Sequence, residues 1–260
     1  MARFMAALAL ASALAWTPAA LAGETGPAQA GQTRDWAVQV TPYLWATGLS
    51  GEIAPVRRLP PIHVEKSFGD VLGDLDFGGF VNIWARRGRY VFSGDLMYVS
   101  TTDSKRVSGV PFVGFVDAST DTRQFTSTLQ AGYRFVSQNR FTLDVLGGAR
   151  IWWISNTFDI QAGPASGSYG ENFGWVDPVI GARAFLRLGD KLSLQAQADA
   201  GGFGAGARST FSALATANYT LSDSLSVSAG YKYLKTDYRK GGHVFDTELG
   251  GPVLGLTYRF

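Results

Sequence analysis

From residue 36 onward the chain keeps returning to one pattern, apolar and polar residues alternating with a period of two. Phe211, Ala213, Ala215, Ala217, Tyr219 and Leu221 alternate with Thr210, Ser212, Leu214, Thr216, Asn218 and Thr220. Leu192, Leu194, Ala196, Ala198 and Ala200 alternate with Ser193, Gln195, Gln197 and Asp199. Leu225, Val227, Ala229, Tyr231 and Tyr233 alternate with Ser226, Ser228, Gly230 and Lys232. A strand sends successive side chains to opposite faces, so each segment reads as a strand with one apolar and one polar face. Thirty-two glycines and 13% aromatics, poor to middling helix formers, argue against a helix bundle. With 46% hydrophobic residues the chain is too apolar to stay disordered.

Composition removes several kinds of chemistry. The net charge of +2 argues against a dedicated nucleic-acid binder. The absence of cysteine excludes disulfides, thiolate metal sites and catalytic thiols. Two histidines leave little room for a histidine metal cage, so neither cofactor nor metal is expected.

The N-terminus reads as an export signal. Arg3 precedes an apolar run from Phe4 to Trp16, Thr17-Pro18 breaks it, and Ala20-Leu21-Ala22 supplies small residues at the cleavage positions. At about 13 residues the run is short for a spanning helix. An uncleaved anchor is the alternative, and Ala28-Gln29-Ala30 offers a second cleavage point. Residues 1–22 are thus expected to be a signal peptide, 23–35 a polar tether, and 36–260 the folded domain.

Alternation fits either a soluble sandwich with its apolar face inward or an outer-membrane barrel with its apolar face against lipid. Four features favour the second. Ten strands are predicted: Trp36–Leu49, Phe77–Arg86, Tyr90–Thr101, Gln124–Phe135, Phe141–Ile154, Pro178–Leu188, Leu192–Phe203, Thr210–Leu221, Leu225–Lys235 and Phe245–Phe260. Tight turns at Arg87–Arg89, Ser137–Arg140, Gly189–Lys191 and Ser222–Ser224 alternate with long connections at Ser50–Asp76, Thr102–Arg123 and Ser155–Asp177, the asymmetry of periplasmic turns and outer loops. Aromatics gather at strand ends: Trp36, Tyr90, Tyr133, Phe135, Phe141, Tyr219, Tyr258 and Phe260 on the short-turn side, and Tyr98, Phe125, Trp153, Phe203, Phe211 and Tyr233 on the other. The apolar faces are small at their centres (Ala149, Ala182, Ala196, Ala198, Ala213, Ala215, Ala229), which suits fluid lipid and not a close-packed core.

The opposite faces carry mid-strand charges. Arg86, Asp95, Arg134, Asp144, Arg150, Arg183, Asp199 and Lys232 are therefore expected to line the lumen, pairing with one another or facing water. The reading is an all-β, antiparallel, transmembrane up-and-down barrel of about ten strands with short periplasmic turns and longer outer loops. Counts of eight or twelve stay open, because Ile53–Val64 and Val107–Phe115 can form extra strands or strand extensions.

The chain ends Gly251-Pro252-Val253-Leu254-Gly255-Leu256-Thr257-Tyr258-Arg259-Phe260. A terminal Phe260 preceded at alternate positions by Tyr258, Leu256 and Leu254 resembles the assembly signature of bacterial outer-membrane proteins. Together with Thr41-Pro42-Tyr43-Leu44-Trp45, Leu75-Asp76-Phe77-Gly78 and Gly94-Asp95-Leu96-Met97-Tyr98, the chain resembles an uncharacterised group of proteobacterial outer-membrane β-barrel proteins. The resemblance implies residence in the outer membrane of a Gram-negative bacterium, contact with outer-membrane lipids, and insertion by the barrel-assembly machinery acting on the C-terminal strand. It carries no catalytic residues.

Two functions follow from this reading: a structural or narrow, anion-leaning pore for small solutes, and alternatively a surface enzyme of protease or acyl-hydrolase type. The lumen's excess of cations motivates the anion preference. The enzyme reading rests on His63 with Glu65, and on His243 with Asp246 and Glu248, near the outer rim; no motif joins them into a catalytic set, so no activity is expected. Phe68, Val71, Leu72 and Leu75 recur at helical spacing behind Ser67 and Asp70, which predicts a short capped helix. It either plugs the mouth with Asp70, Asp74 and Asp76 toward lumen arginines, or lies on the rim. Arg57-Arg58, Lys105-Arg106, Lys235 and Arg239-Lys240 are outer cations able to meet lipid phosphates or plain solvent. Gly201–Gly206 lacks the following helix and Lys of a phosphate loop and reads as a turn with close strand packing.

Overall fold

The structure, a computed structural model, describes residues 36–54, 57, 60–110 and 114–260. The expected signal peptide and tether lie outside these residues. In chain order the elements are β1 (Trp36–Trp45), β2 (Gly48–Ala54), β3 (Ile62–Lys66), α1 (Phe68–Asp74), β4 (Leu75–Arg87), β5 (Tyr90–Val110), β6 (Gly114–Ser137), β7 (Phe141–Ala162), β8 (Ala165–Arg187), β9 (Leu192–Gly201), β10 (Ser209–Thr220), β11 (Leu225–Lys240) and β12 (His243–Arg259).

Ten strands close a barrel: β1, then β4 through β12 in order, with β12 returning to β1. Every pairing is antiparallel. Trp36 lies opposite Arg87 and Gln39 opposite Arg259, so this end of the domain and the chain's C-terminus meet at the short-turn side. Closure leaves the spanning part of the barrel without an open edge, which a hydrocarbon environment demands of β structure. β2 and β3 are the two strands outside this ring. β2 continues β1 upward after a break at Ala46-Thr47 and pairs with the upper half of β12 (Val244 opposite Ala54), and β3 pairs with β2.

Two expected loops are strand instead. Thr102–Arg123 forms the upper parts of β5 and β6, and Ser155–Asp177 forms those of β7 and β8. The cause is a change in which face is apolar. Low on β7, Val145, Ala149, Ile151 and Trp153 point outward, while Asp144 and Arg150 are buried within. Higher up, Ser155, Thr157 and Asp159 take the outward face, and Trp152 and Ile154 fill the interior. β8 behaves alike, with Val176 and Ile180 outward below, Ser168 and Asn172 outward above, and Phe173 and Trp175 inside. The wall is apolar outside where it meets lipid and apolar inside where it meets water. At the crossover both faces are apolar, so Ile151-Trp152-Trp153-Ile154 reads as the end of a strand.

The 24 residues of β6 would cover about 60 Å along the axis at ordinary rise and tilt, against an apolar band about 25 Å tall. More than half of the longest strands therefore project beyond the membrane. There the upper parts of β5–β8 face those of β11, β12, β2 and β3 across a shared core of Trp152, Ile154, Phe173, Trp175, Leu234 and Phe245. Outward aromatics mark the membrane borders, with Trp36, Tyr90, Tyr133, Phe135, Tyr219, Tyr258 and Phe260 below and Phe77, Trp153, Phe203 and Phe211 above.

β9 and β10 are short, leaving a notch between the tops of β8 and β11. Trp175 stacks on Tyr238 across it with ring centroids 4.0 Å apart. The 202–208 turn folds over the gap, where the Ala207 N–H donates to Asp177 at 2.6 Å and Lys240 Nζ donates to the Gly204 and Ala205 carbonyls. A Cβ on Gly206 would lie 2.5 Å from the Val176 carbonyl, so this approach needs glycine.

Candidate functional site: a charged septum in the lumen

The barrel interior is divided by a layer of acidic and basic side chains. β5 and β11 face one another across the lumen, where Lys232 Nζ donates to Asp95 at 2.8 Å and to the Tyr43 hydroxyl at 2.6 Å, and sits over the rings of Tyr43 and Trp45. Tyr43 in turn donates to Asp95 at 3.0 Å. Beside this group, Arg150 uses all three guanidinium nitrogens: Nε to Thr128 at 2.9 Å, and the terminal nitrogens to Thr210 and Asp199, each at 2.7 Å. Arg150 and Asp199 are 2% and 4% exposed, so this is a desolvated pair, with one bond from each guanidinium nitrogen. Closer to the periplasmic end, Arg134 grips Asp144 with two bonds of 2.7 and 3.1 Å. Arg134 and Arg183 both lie over the Trp84 ring, a favourable place for a guanidinium.

Every residue of the expected lumen set lies on the inward face of its strand. Lys232–Asp95, Arg150–Asp199 and Arg134–Asp144 are brought together. Arg183 instead donates to Gln195 at 2.7 Å, and Arg86 to the Gly88 carbonyl near the turn. The sequence reading missed Asp177, which lay in an expected loop. It is fully buried and accepts from Trp175 Nε1 and Ala207 N, adding a fourth carboxylate to the expected set, while Arg259 in the lumen lining adds a sixth cation. Its one sequence signal was its parity with Phe173 and Trp175.

Below the septum a polar vestibule of about 540 Å3 extends to the periplasmic turns, lined by residues such as Gln39, Gln195, Asn218 and Arg259 and ending on Tyr43, Asp95 and Lys232. Within the septum only about 30 Å3 is left between Asp95, Arg150 and Asp199. Above it stands the aromatic core.

Other candidates fall elsewhere. Asp246 and Glu248, expected beside His243, point outward and pair with Arg239 (2.7 Å) and Lys235. Arg239 also meets Glu52 and Asp237, and these carboxylates hold its pKa above the usual arginine value. Neighbouring residues on a strand face opposite ways, so the spacing of three from His243 to Asp246 separates them. His243 turns inward, stacks on Phe173 at 4.3 Å, and lies 3.3 Å from Glu171 and from Arg57 Nε. Burial works to raise the Glu171 pKa, but hydrogen bonds from the Arg57 backbone and Tyr169, with the nearby His243 and Arg57 charges, hold it below the usual glutamate range. His63 is exposed on β3. Among the described residues no cluster of His, Asp or Glu has the makings of a metal site.

The predicted helix forms, with Ser67 and Asp70 closing a capping box. It lies on the rim and not as a plug. Asp70 serves the cap, Asp74 pairs with Lys66 at 2.6 Å, and Asp76 accepts from Thr102, so none reaches a lumen arginine. Among the outer cations, Arg106 pairs with Asp117 at 2.5 Å; Arg58 and the Lys105 side chain lie outside the described residues.

No family model and no curated protein matches the chain. Solved structures do. The outer membrane protease OmpT from Escherichia coli is 12% identical, with a TM-score of 0.51, over 88% of this chain and 98% of that one. The translocator domain of the autotransporter NalP from Neisseria meningitidis is 14% identical, with a TM-score of 0.48, over 89% and 90%. The fold is that of an outer-membrane β-barrel, and the protein is one by architecture and by its lipid-facing surface.

Proposed function

We propose that this protein is a closed outer-membrane barrel with a structural role, carrying a rigid β projection above the bilayer, and that any residual passage through it is narrow and favours anions. The observation that carries this reading is the septum: Lys232–Asp95 crosses the lumen from β11 to β5, Arg150–Asp199 packs beside it, Arg134–Asp144 joins two adjacent strands below, and an aromatic core lies above. A small barrel is filled by its own side chains, and ten strands stand just above that size. The anion preference rests on Arg183, Arg86 and the vestibule's Arg259, inward cations that bond to neutral groups. The lipid-facing Leu254, Leu256, Tyr258 and Phe260 support a role for the last strand as the segment offered to the barrel-assembly machinery, and the aromatic borders support direct contact with outer-membrane lipids.

The surface-enzyme alternative has less support. His243 meets a carboxylate, but its polar partners among the described residues are Arg57 and Glu171, whereas a triad-type site needs a hydroxyl or thiol nucleophile within the imidazole's reach.

Single-channel recording in a planar bilayer tests the proposal. Wild type is expected to show no steady porin-sized steps, and any leak in a salt gradient should reverse toward the anion potential. Asp95→Ala together with Lys232→Ala removes one pair without stranding its partner, and should produce measurable steps. A wide, cation-selective wild-type pore would reject the reading.

A further inference from the structure

The projection contains an apolar cavity of about 330 Å3 that the septum does not explain. Its walls include Trp45, Leu49, Val64, Phe80, Val99 and Phe245, contributed by β1 to β5 and β12. Space of this size takes on the order of ten non-hydrogen atoms at a water-like 30 Å3 each. It falls at the small end of ligand pockets, which are concave, mostly apolar and fitted with a few placed polar groups.

Two further observations point to a ligand. Asn156 lines the cavity, is 4% exposed, and its Nδ2 has no hydrogen-bond partner among the described residues, although Oδ1 lies 3.0 Å from the Thr122 hydroxyl. A buried amide with an unused donor favours an occupant that brings an acceptor. The wall is also interrupted beside this cavity. Above Thr101 the edge of β5 shares no ladder with β3 among the described residues, and α1 fills the interval. Lys66 on β3 bridges it, donating to Asp74 at 2.6 Å and to Asp103 on β5 at 2.8 Å. The mouth is rimmed by the exposed Phe68 and Leu72, immediately above the outward Phe77 of the outer aromatic border.

We infer that this cavity is a binding site for a small, uncharged apolar molecule bearing one hydrogen-bond acceptor, admitted laterally between β3 and β5 at the outer edge of the membrane, with its acceptor on Asn156 Nδ2. The lining cation, Lys66, is engaged by two carboxylates, so a carboxylate ligand would be buried without a counter-charge. The inference is independent of whether the lumen conducts.

The probe is 10-bromodecan-2-one, whose bromine quenches tryptophan fluorescence, added to the barrel in detergent micelles. The lipid-facing Trp36 and Trp153, and the buried Trp84, Trp152 and Trp175, which do not line the cavity, are first changed to Phe, so that Trp45 in the cavity wall reports. Saturable quenching is expected. It should be lost in Val99→Phe, which fills the cavity, and weakened about tenfold in Asn156→Leu, the equivalent of one hydrogen bond. In the unsubstituted site 1-bromodecane, lacking an acceptor, should bind about as weakly as the ketone binds Asn156→Leu. A heat-dependent gel shift confirms that each variant is folded. Strictly linear quenching, or saturation unchanged in folded Val99→Phe, would overturn the site. Equal affinity for ketone and bromoalkane would overturn the role of Asn156. Saturation by a brominated phospholipid but not by the ketone would assign the space to a lipid tail and overturn the inference.

Discussion

Asp199→Leu is expected to destabilise the barrel by about 3–5 kcal/mol, because it leaves Arg150 ionised and unpaired inside the wall. Arg150 is 2% exposed, so water does not relieve it. Thr128 and Thr210 would still accept from two of its nitrogens but bring no charge, and Asp177, opposite Arg150 in the register, has its oxygens engaged by Trp175 and Ala207. The double variant Arg150→Met with Asp199→Leu is expected to recover most of the loss, since replacing both members of a buried pair with apolar groups is often neutral. Urea unfolding in lipid vesicles, followed by tryptophan fluorescence, measures both. A single variant within about 1 kcal/mol of wild type would show that water reaches the septum, and that these pairs behave like the weak ones at protein surfaces.

The same residues show how much could be read before any coordinates. Mid-strand charges opposite a row of alanines are costly unless they face one another, and that alone placed Asp95, Asp144, Asp199 and their cationic neighbours inside. Their pairing could not be read, because partners such as Lys232 and Asp95 come from strands far apart in sequence. The projection was illegible for a different reason. Alternation tells faces apart only while the solvent on each side stays the same, and at Trp152-Trp153 the two solvents change places. Above that level the outward positions of β7 and β8 become Ser, Thr, Asn and Asp, which are turn-forming residues by composition and strand residues by position. Asp177 was lost with them. The helix was legible because its cap is local, whereas its neighbours, Lys66 and the open edge of β5, were set by how the sheet ends.

Ala215→Arg and Thr216→Arg, adjacent in sequence, are expected to have opposite fates. Ala215 points outward on β10, midway between Phe211 and Tyr219, which mark the two membrane borders on that strand. Its neighbours across the sheet are Ala196 and Tyr231, and no carboxylate lies opposite it in the register. An arginine at this depth meets hydrocarbon, at a cost of about 2–4 kcal/mol, and should slow or block insertion. Thr216 turns inward toward the polar vestibule, opposite Gln195 and Gly230, where a guanidinium finds polar neighbours and water. Its variant should fold with nearly wild-type stability. Folding yield into vesicles, read by the heat-dependent gel shift, and urea midpoints separate the two. Strand register shifts all side chains together, so a slip of one residue in β10 would exchange the phenotypes. Equal tolerance of both would mean that neither face of β10 meets lipid, leaving the small Ala196, Ala213 and Ala215 face without the fluid neighbour that explains it.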